Sequence, residues 1–178
     1  MAKVTEPRQS FSRVISDVNL VAMDWGRDHG GERLGTKWYD GEASMEPSEK
    51  WPVPESVRLA IRRIVTDAFS RLVTMKEMTE SIRIAGGFTT EQAKLIADTE
   101  IRLGQSHGNL AAWKRTGVVR STKWLKSMLH TVRDCCDLNA EAGIVPIGQA
   151  FPSGDECPPA HIGCRCGLGI AELDELKR

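Results

Sequence analysis

All five cysteines of this chain fall between Cys135 and Cys166, in the same stretch that gathers Gly143, Pro146, Gly148, Pro152, Ser153, Gly154, Pro158, Pro159 and Gly163. Turn formers at that density interrupt both helical and strand periodicity, and each proline removes a backbone donor. A segment so poor in regular hydrogen bonding needs something else to fix it: buried side chains, a metal ion or a covalent link. No basic start leads into an apolar secretory stretch, and no run approaches roughly 18 consecutive apolar residues. The chain is therefore read as soluble and made in the cytosol, where clustered cysteines argue for free thiols or metal before disulfides.

Upstream, helical spacing dominates. Residues 1–9 read as a tail. Phe11, Val14, Ile15, Val18, Val21, Ala22 and Trp25 recur at helical intervals, with Ser10 placed to cap and Gly26 to stop. This predicts an amphipathic helix of about four turns, whose stripe packs on its own core or docks on a partner. Residues 26–53 hold scattered glycines and charges without a period, which predicts a linker or irregular arm. Pro54 opens the next helix, with Val57, Ile61, Ile64, Val65, Ala68, Leu72 and Met75 on one face and Arg58, Arg62, Arg63 and Arg71 on others. Gly86-Gly87 breaks that pattern.

Thr89 and Gln92 have the reciprocal capping spacing, so a further helix is expected from Thr90 to about Trp113. Ala93, Ile96, Ala97, Glu100, Leu103 and His107 share one side of it. Glu100 on an apolar stripe implies a half-buried carboxylate with a partner. Gly117 ends this helix. Val118-Val119 and Lys123–His130 are strand-like, with Trp124 as the largest anchor, and Leu168–Leu176 reads as a short strand followed by an acidic helical end.

At 178 residues and 40% apolar composition, the chain is one ordinary domain with a core that does not depend on metal to fold. Lys+Arg and Asp+Glu balance at 24 each, so bulk electrostatics do not favour nucleic acid and a DNA contact would need a local patch.

Three ordered blocks resemble the phage Mu F-like minor head (head morphogenesis) family over roughly residues 84–178. The first is Gly87-Phe88-Thr89-Thr90-Glu91-Gln92-Ala93 followed by Ile96-Ala97-Asp98-Thr99-Glu100. The second is Gly117-Val118 with Lys123-Trp124. The third and most specific runs from Cys136-Asp137-Leu138-Asn139 through Gly143, Pro146-Ile147-Gly148 and Phe151-Pro152-Ser153-Gly154 to Pro158-Pro159-Ala160-His161-Ile162-Gly163-Cys164-Arg165-Cys166. Two positions depart from the pattern: Arg133 stands where relatives often carry a cysteine, and Ile162 where they favour proline. The resemblance implies a non-enzymatic virion protein of a tailed phage head, present in host cytoplasm during assembly. Its implied partners are the portal or major capsid protein, with a role in head assembly and in DNA packaging or ejection.

The fold class expected is α+β: two long helices packed on a small antiparallel sheet, a loop-rich Cys/His C-terminal lobe, and an N-terminal arm with one short helix. Residues 1–53 form the arm and 54–178 the main domain. Within the lobe, His161 and Cys164 lie three apart, and Cys164 and Cys166 share a face if the segment is extended. Cys136 closes a four-ligand shell suited to tetrahedral zinc, with Cys135 or Cys157 as substitutes. The same residues also suit reduced thiols beside a hydrogen-bonded core histidine, or a disulfide.

His107 and His130 read as isolated surface or boundary residues, Asp155-Glu156 as exposed turn carboxylates, and the five tryptophans as packing anchors. A DNA-binding reading would use Arg58, Arg62, Arg63, Lys114, Arg115, Arg120, Lys123 and Lys126. An enzyme reading lacks an activated nucleophile, phosphate loop or paired acid and base. Neither a membrane nor a small-molecule substrate is implied.

Overall fold

The computed structural model describes residues 11–42, 44–130 and 133–173, with the side chains of 11–16 and 173 outside the description. The expected tail, the Ser10 cap and the acidic helical end lie outside the described residues. The chain folds as α+β, with five helices and a three-stranded antiparallel sheet among the described residues. Among the described residues no helix is long and apolar enough to cross a membrane.

Helix α1 spans Phe11–His29 and packs against α2 (Glu55–Arg71) and α4 (Thr90–Thr116). It runs through Gly26 rather than stopping there, because that glycine is a contact point: a Cβ would lie 3.0 Å from Val65 Cγ1. On α4, Gly108 admits the α1 backbone, and a Cβ there would stand 2.6 Å from the Val18 carbonyl oxygen. Ala22 is buried in the resulting core, with Met23 and Trp25 packed on it. The described part of the α1 stripe thus covers the chain's own helices.

Residues 30–53 contain one short 3-10 turn, Lys37–Asp40, yet Leu34, Trp38 and Tyr39 are core residues. The segment folds back on itself as Lys37 N–H donates to Glu46 O and Trp38 N–H to Ser44 O. Buried Glu100 of α4 accepts from Tyr39 Oη at 2.5 Å and from Gly31 N–H at 3.2 Å, supplying the partners its position demanded.

The single helix expected from Pro54 to Gly86 is two helices, α2 and α3 (Met75–Gly86). The chain turns at Leu72, which has φ 53° and is 74% exposed rather than on the buried stripe. Thr74 then starts α3 with a capping box, accepting from Glu77 N–H while Glu77 accepts from Thr74 N–H. Helix α4 has the expected Thr89–Gln92 box and runs to Thr116, where Gly117 stops it.

Strand β1 (Val119–Leu125) is central, flanked by β2 (Ile144–Pro146) and β3 (Gly167–Leu173) in antiparallel register. Between β1 and β2 lies α5, Cys135–Glu141, in a stretch where turns were expected. A second core forms under the sheet from Trp124, Cys136, Phe151, Ala160, Cys164 and Cys166. The cysteines of the lobe are therefore core residues as well as candidate ligands.

Candidate metal centre

Three segments converge on the second core, and each has a local reason for its shape. Helix α5 begins at Asp134, whose carboxylate accepts from Cys136 N–H at 2.7 Å while Asp137 accepts from Asp134 N–H at 3.1 Å. This capping pair points Cys136 inward, with no exposed surface. The loop from Pro158 to Gly163 carries His161 beneath it. Gly163, at φ 71°, takes the left-handed conformation that lets Cys164 N–H return to the His161 carbonyl at 3.1 Å. The following C-x-C alternates as an extended chain does: Cys164 and Cys166 are buried, while Arg165 turns outward, 3.4 Å from Asp98.

Cys136, His161 and Cys164 meet. One donor atom from each lies within 4.8 Å of the others, and the Cys136 and Cys164 sulfurs are 3.6 Å apart. Two sulfurs bound tetrahedrally at about 2.3 Å from one ion stand about 3.8 Å apart, whereas a disulfide needs about 2.05 Å. The observed spacing is too long for a disulfide and fits a ligand pair as well as a thiol–thiol hydrogen bond. His161 Nδ1 lies 2.8 Å from the Ile162 carbonyl oxygen, which assigns its proton to Nδ1. That leaves Nε2 as the nitrogen that could bind an ion on losing its proton; it is buried and without a hydrogen bond, although Asp134 Oδ2 is 3.0 Å away out of hydrogen-bond alignment. A carbonyl orienting one ring nitrogen while the other is left to bind is the usual support of a metal-bound histidine.

Cys166, the fourth ligand expected, is buried beside the trio and its thiol interacts with those of Cys136 and Cys164. It lies outside the mutually close set of three. Of the substitutes, Cys135 is half-buried with its thiol 3.9 Å from the Ala160 carbonyl oxygen, and it groups with Asp134 and Cys136. Cys157 is buried apart from every such group among the described residues. Arg133 is exposed and faces Glu141 at 3.6 Å, away from the cluster.

The electrostatics single out one thiolate. Hydrogen bonding from Cys136 and Cys166, together with His161, pulls the Cys164 thiol far below the ordinary range. Cys136 is pushed correspondingly far up by its contacts with Cys135, Cys164 and Cys166. Burial opposes charge on His161, but the Cys164 sulfur and the Ile162 carbonyl outweigh it and push the imidazole up to about 9. The cluster thus sets a Cys164 thiolate beside a protonated imidazole, and its donor atoms could hold a metal ion in place of the protons on His161 and Cys136.

His130 is not isolated. Its Nε2 lies 3.0 Å from Asp137 Oδ2 and 3.4 Å from Asp134 Oδ1, and with Asp134 and His161 it forms a second group of close donor atoms. A shallow cavity of about 170 Å³ opens onto His130, Asp134, His161 and Cys164. Its carboxylate partners lie only four and seven residues along the chain, at the N-cap and in the first turn of α5.

Asp155 is buried, not exposed: it accepts from Arg33 Nη2 at 2.8 Å and from the Ser153 hydroxyl at 2.9 Å. His107 stacks on Trp25 with centroids 5.3 Å apart. Several cations of the DNA-binding reading are held within the chain. Arg62 donates to Gly30 O and Arg58 to Val53 O, while Lys114 pairs with Glu156, Arg115 with Asp17 and Lys126 with Asp137.

Compared with known proteins, the chain matches no family model, no curated protein and no solved structure.

Proposed function

We propose that this chain is a non-enzymatic minor head component of a tailed phage, with a C-terminal lobe pinned by one structural zinc ion. The ion is held by Cys136, His161, Cys164 and Cys166. The observation that carries the metal reading is the 3.6 Å approach of two sulfurs contributed by α5 and the C-x-C loop. Thiolate-rich shells select zinc among the common divalent ions of the cytosol. Burial of all three sulfurs favours a closed, structural site over an open catalytic one. The ion substitutes for the backbone hydrogen bonds that the proline- and glycine-rich loop cannot make.

The head assignment rests on the three-block resemblance, and its partners are then the portal or the major capsid protein. A local DNA contact has weaker support, because so many of the candidate cations are engaged inside the chain.

Two measurements test the reading. Elemental analysis of protein purified without affinity metals should return about one zinc per chain. No zinc would sink the metal centre. Mass spectrometry of purified virions should find the chain in mature particles, and finding it only in lysate would sink the structural role.

A further inference from the structure

Helix α4 reaches into the metal centre without contributing a ligand. Arg102, half-buried near the middle of that helix, donates from Nη1 to the Cys164 carbonyl at 2.6 Å and from Nη2 to the Cys166 carbonyl at 3.1 Å. We propose that Arg102 is the positioning residue of this centre, setting the C-x-C so that its sulfurs face Cys136 and His161. The inference rests on the zinc reading above.

Residues two apart in an extended chain repeat their orientation, so the two cysteine carbonyls present themselves side by side, as their sulfurs do. A guanidinium is a rigid planar fork that engages two acceptors at fixed separation. Gripping both carbonyls fixes the rotation of the peptide that follows each cysteine, Cys164–Arg165 and Cys166–Gly167, and that rotation aims the two thiols. The loop has little else to do this, since its prolines and Gly163 leave it short of regular hydrogen bonds. Charge acts in the same direction. A divalent ion with three thiolates and a neutral imidazole carries a net charge of minus one, and the permanently charged guanidinium offsets it in a largely dry setting. Lysine would keep the charge but lose the fork.

The test uses the full chain and three proteins: wild type, Arg102→Gln and Arg102→Lys. Zinc affinity is read by competition with a chromophoric chelator, and the ligand field by the visible absorption of the cobalt-substituted protein. Arg102→Gln should bind zinc about 10- to 100-fold more weakly, with an altered cobalt spectrum. Arg102→Lys should fall between the two. Should the Gln variant not fold, the Lys variant carries the comparison and should still bind several-fold more weakly. Wild-type affinity and an unchanged cobalt spectrum in the folded variants would overturn the proposal. So would a variant whose metal-free melting temperature drops while its affinity stays at the wild-type level, since Arg102 would then only fasten the lobe to α4. If wild type itself takes up neither zinc nor cobalt, the zinc reading fails first and this inference with it.

Discussion

Asn139 and Ser153 exchange two hydrogen bonds: the Asn139 side-chain amide donates to Ser153 Oγ at 2.8 Å, and its carbonyl accepts from Ser153 N–H at 2.9 Å. Ser153 Oγ in turn donates to Asp155, which holds Arg33, and Arg33 lies over the Trp38 ring at 4.7 Å. A chain of polar contacts thus runs from α5, beside Cys136, to the helical core. Asn139 has no exposed surface, so its loss leaves Ser153 N–H without a partner where water has poor access. Asn139→Ala should cost about 2–4 kcal/mol, lowering the melting temperature by about 4–8 °C or more. A double-mutant cycle with Ser153→Ala should show coupling of at least about 0.5 kcal/mol. A variant within experimental error of wild type would refute the network.

What was readable beforehand was mostly local. The Thr89–Gln92 box, the Gly117 stop and the in-out-in alternation of Cys164, Arg165 and Cys166 depend on spacings of a few residues, and all three are present. The capping box at Thr74 has the same spacing, but Met75 continued the apolar stripe and concealed the break at Leu72. The box at Asp134 uses Asp137 where Glu or Gln is usual, and turn formers downstream masked the seven-residue α5. Non-local partners were not readable. Glu100 declared itself by lying on an apolar face, yet Tyr39 comes from a segment with no period. Arg102 meets the Cys164 and Cys166 carbonyls only when α4 and the C-x-C loop are brought together.

Close approach of α1 to α4 makes Gly108 a sensitive position. On propensity alone, Gly→Ala within a helix gains about 1 kcal/mol. Here the new Cβ would meet the Val18 carbonyl oxygen at 2.6 Å and Val18 Cγ1 at 3.1 Å, and the first of these belongs to a helix backbone that moves only as a unit. Gly108→Ala should therefore be net destabilising by about 1–3 kcal/mol, read from urea denaturation midpoints. Stabilisation would show that α1 sits further from α4 than described.

His107, stacked on Trp25, is held neutral by burial and by the positive charge of Arg33, so its pKa is brought down from 6.5 to about 4. A histidine depressed in the folded state contributes stability above its unfolded value that is lost as pH falls through 6.5 towards 4. At pH 5 the loss from this residue is about 2 kcal/mol. His107→Phe keeps a ring against Trp25 and removes the proton. Its denaturation midpoint should fall less than that of wild type between pH 7 and pH 5. Acid effects on the cysteine lobe are common to both proteins and cancel in the difference. Parallel pH profiles for the two would rule out His107 as a contributor.

The Cys136 and Cys164 sulfurs stand close enough to exchange one kind of link for another. If an ion is bound as proposed, with a lone pair of each sulfur committed to it, neither sulfur attacks an external disulfide. Once a chelator removes the ion, a thiolate at either position can displace one glutathione from oxidised glutathione. Its neighbour, 3.6 Å away, then displaces the second. The products are an intramolecular disulfide and two molecules of reduced glutathione, which balances the thiols and electrons. Protein as isolated should stay fully reduced at these two positions under oxidised glutathione. Chelated protein should lose two hydrogens and yield a crosslinked peptide pair joining α5 to the C-x-C loop. Cys164→Ser should abolish that crosslink and loosen the lobe, while the α1–α4 core, built from separate residues, keeps its helical signal. Equal oxidation with and without chelator would mean that no ion guards the sulfurs. A crosslink between Cys136 and Cys157 instead would mean that the pairing of α5 with the C-x-C loop is wrong.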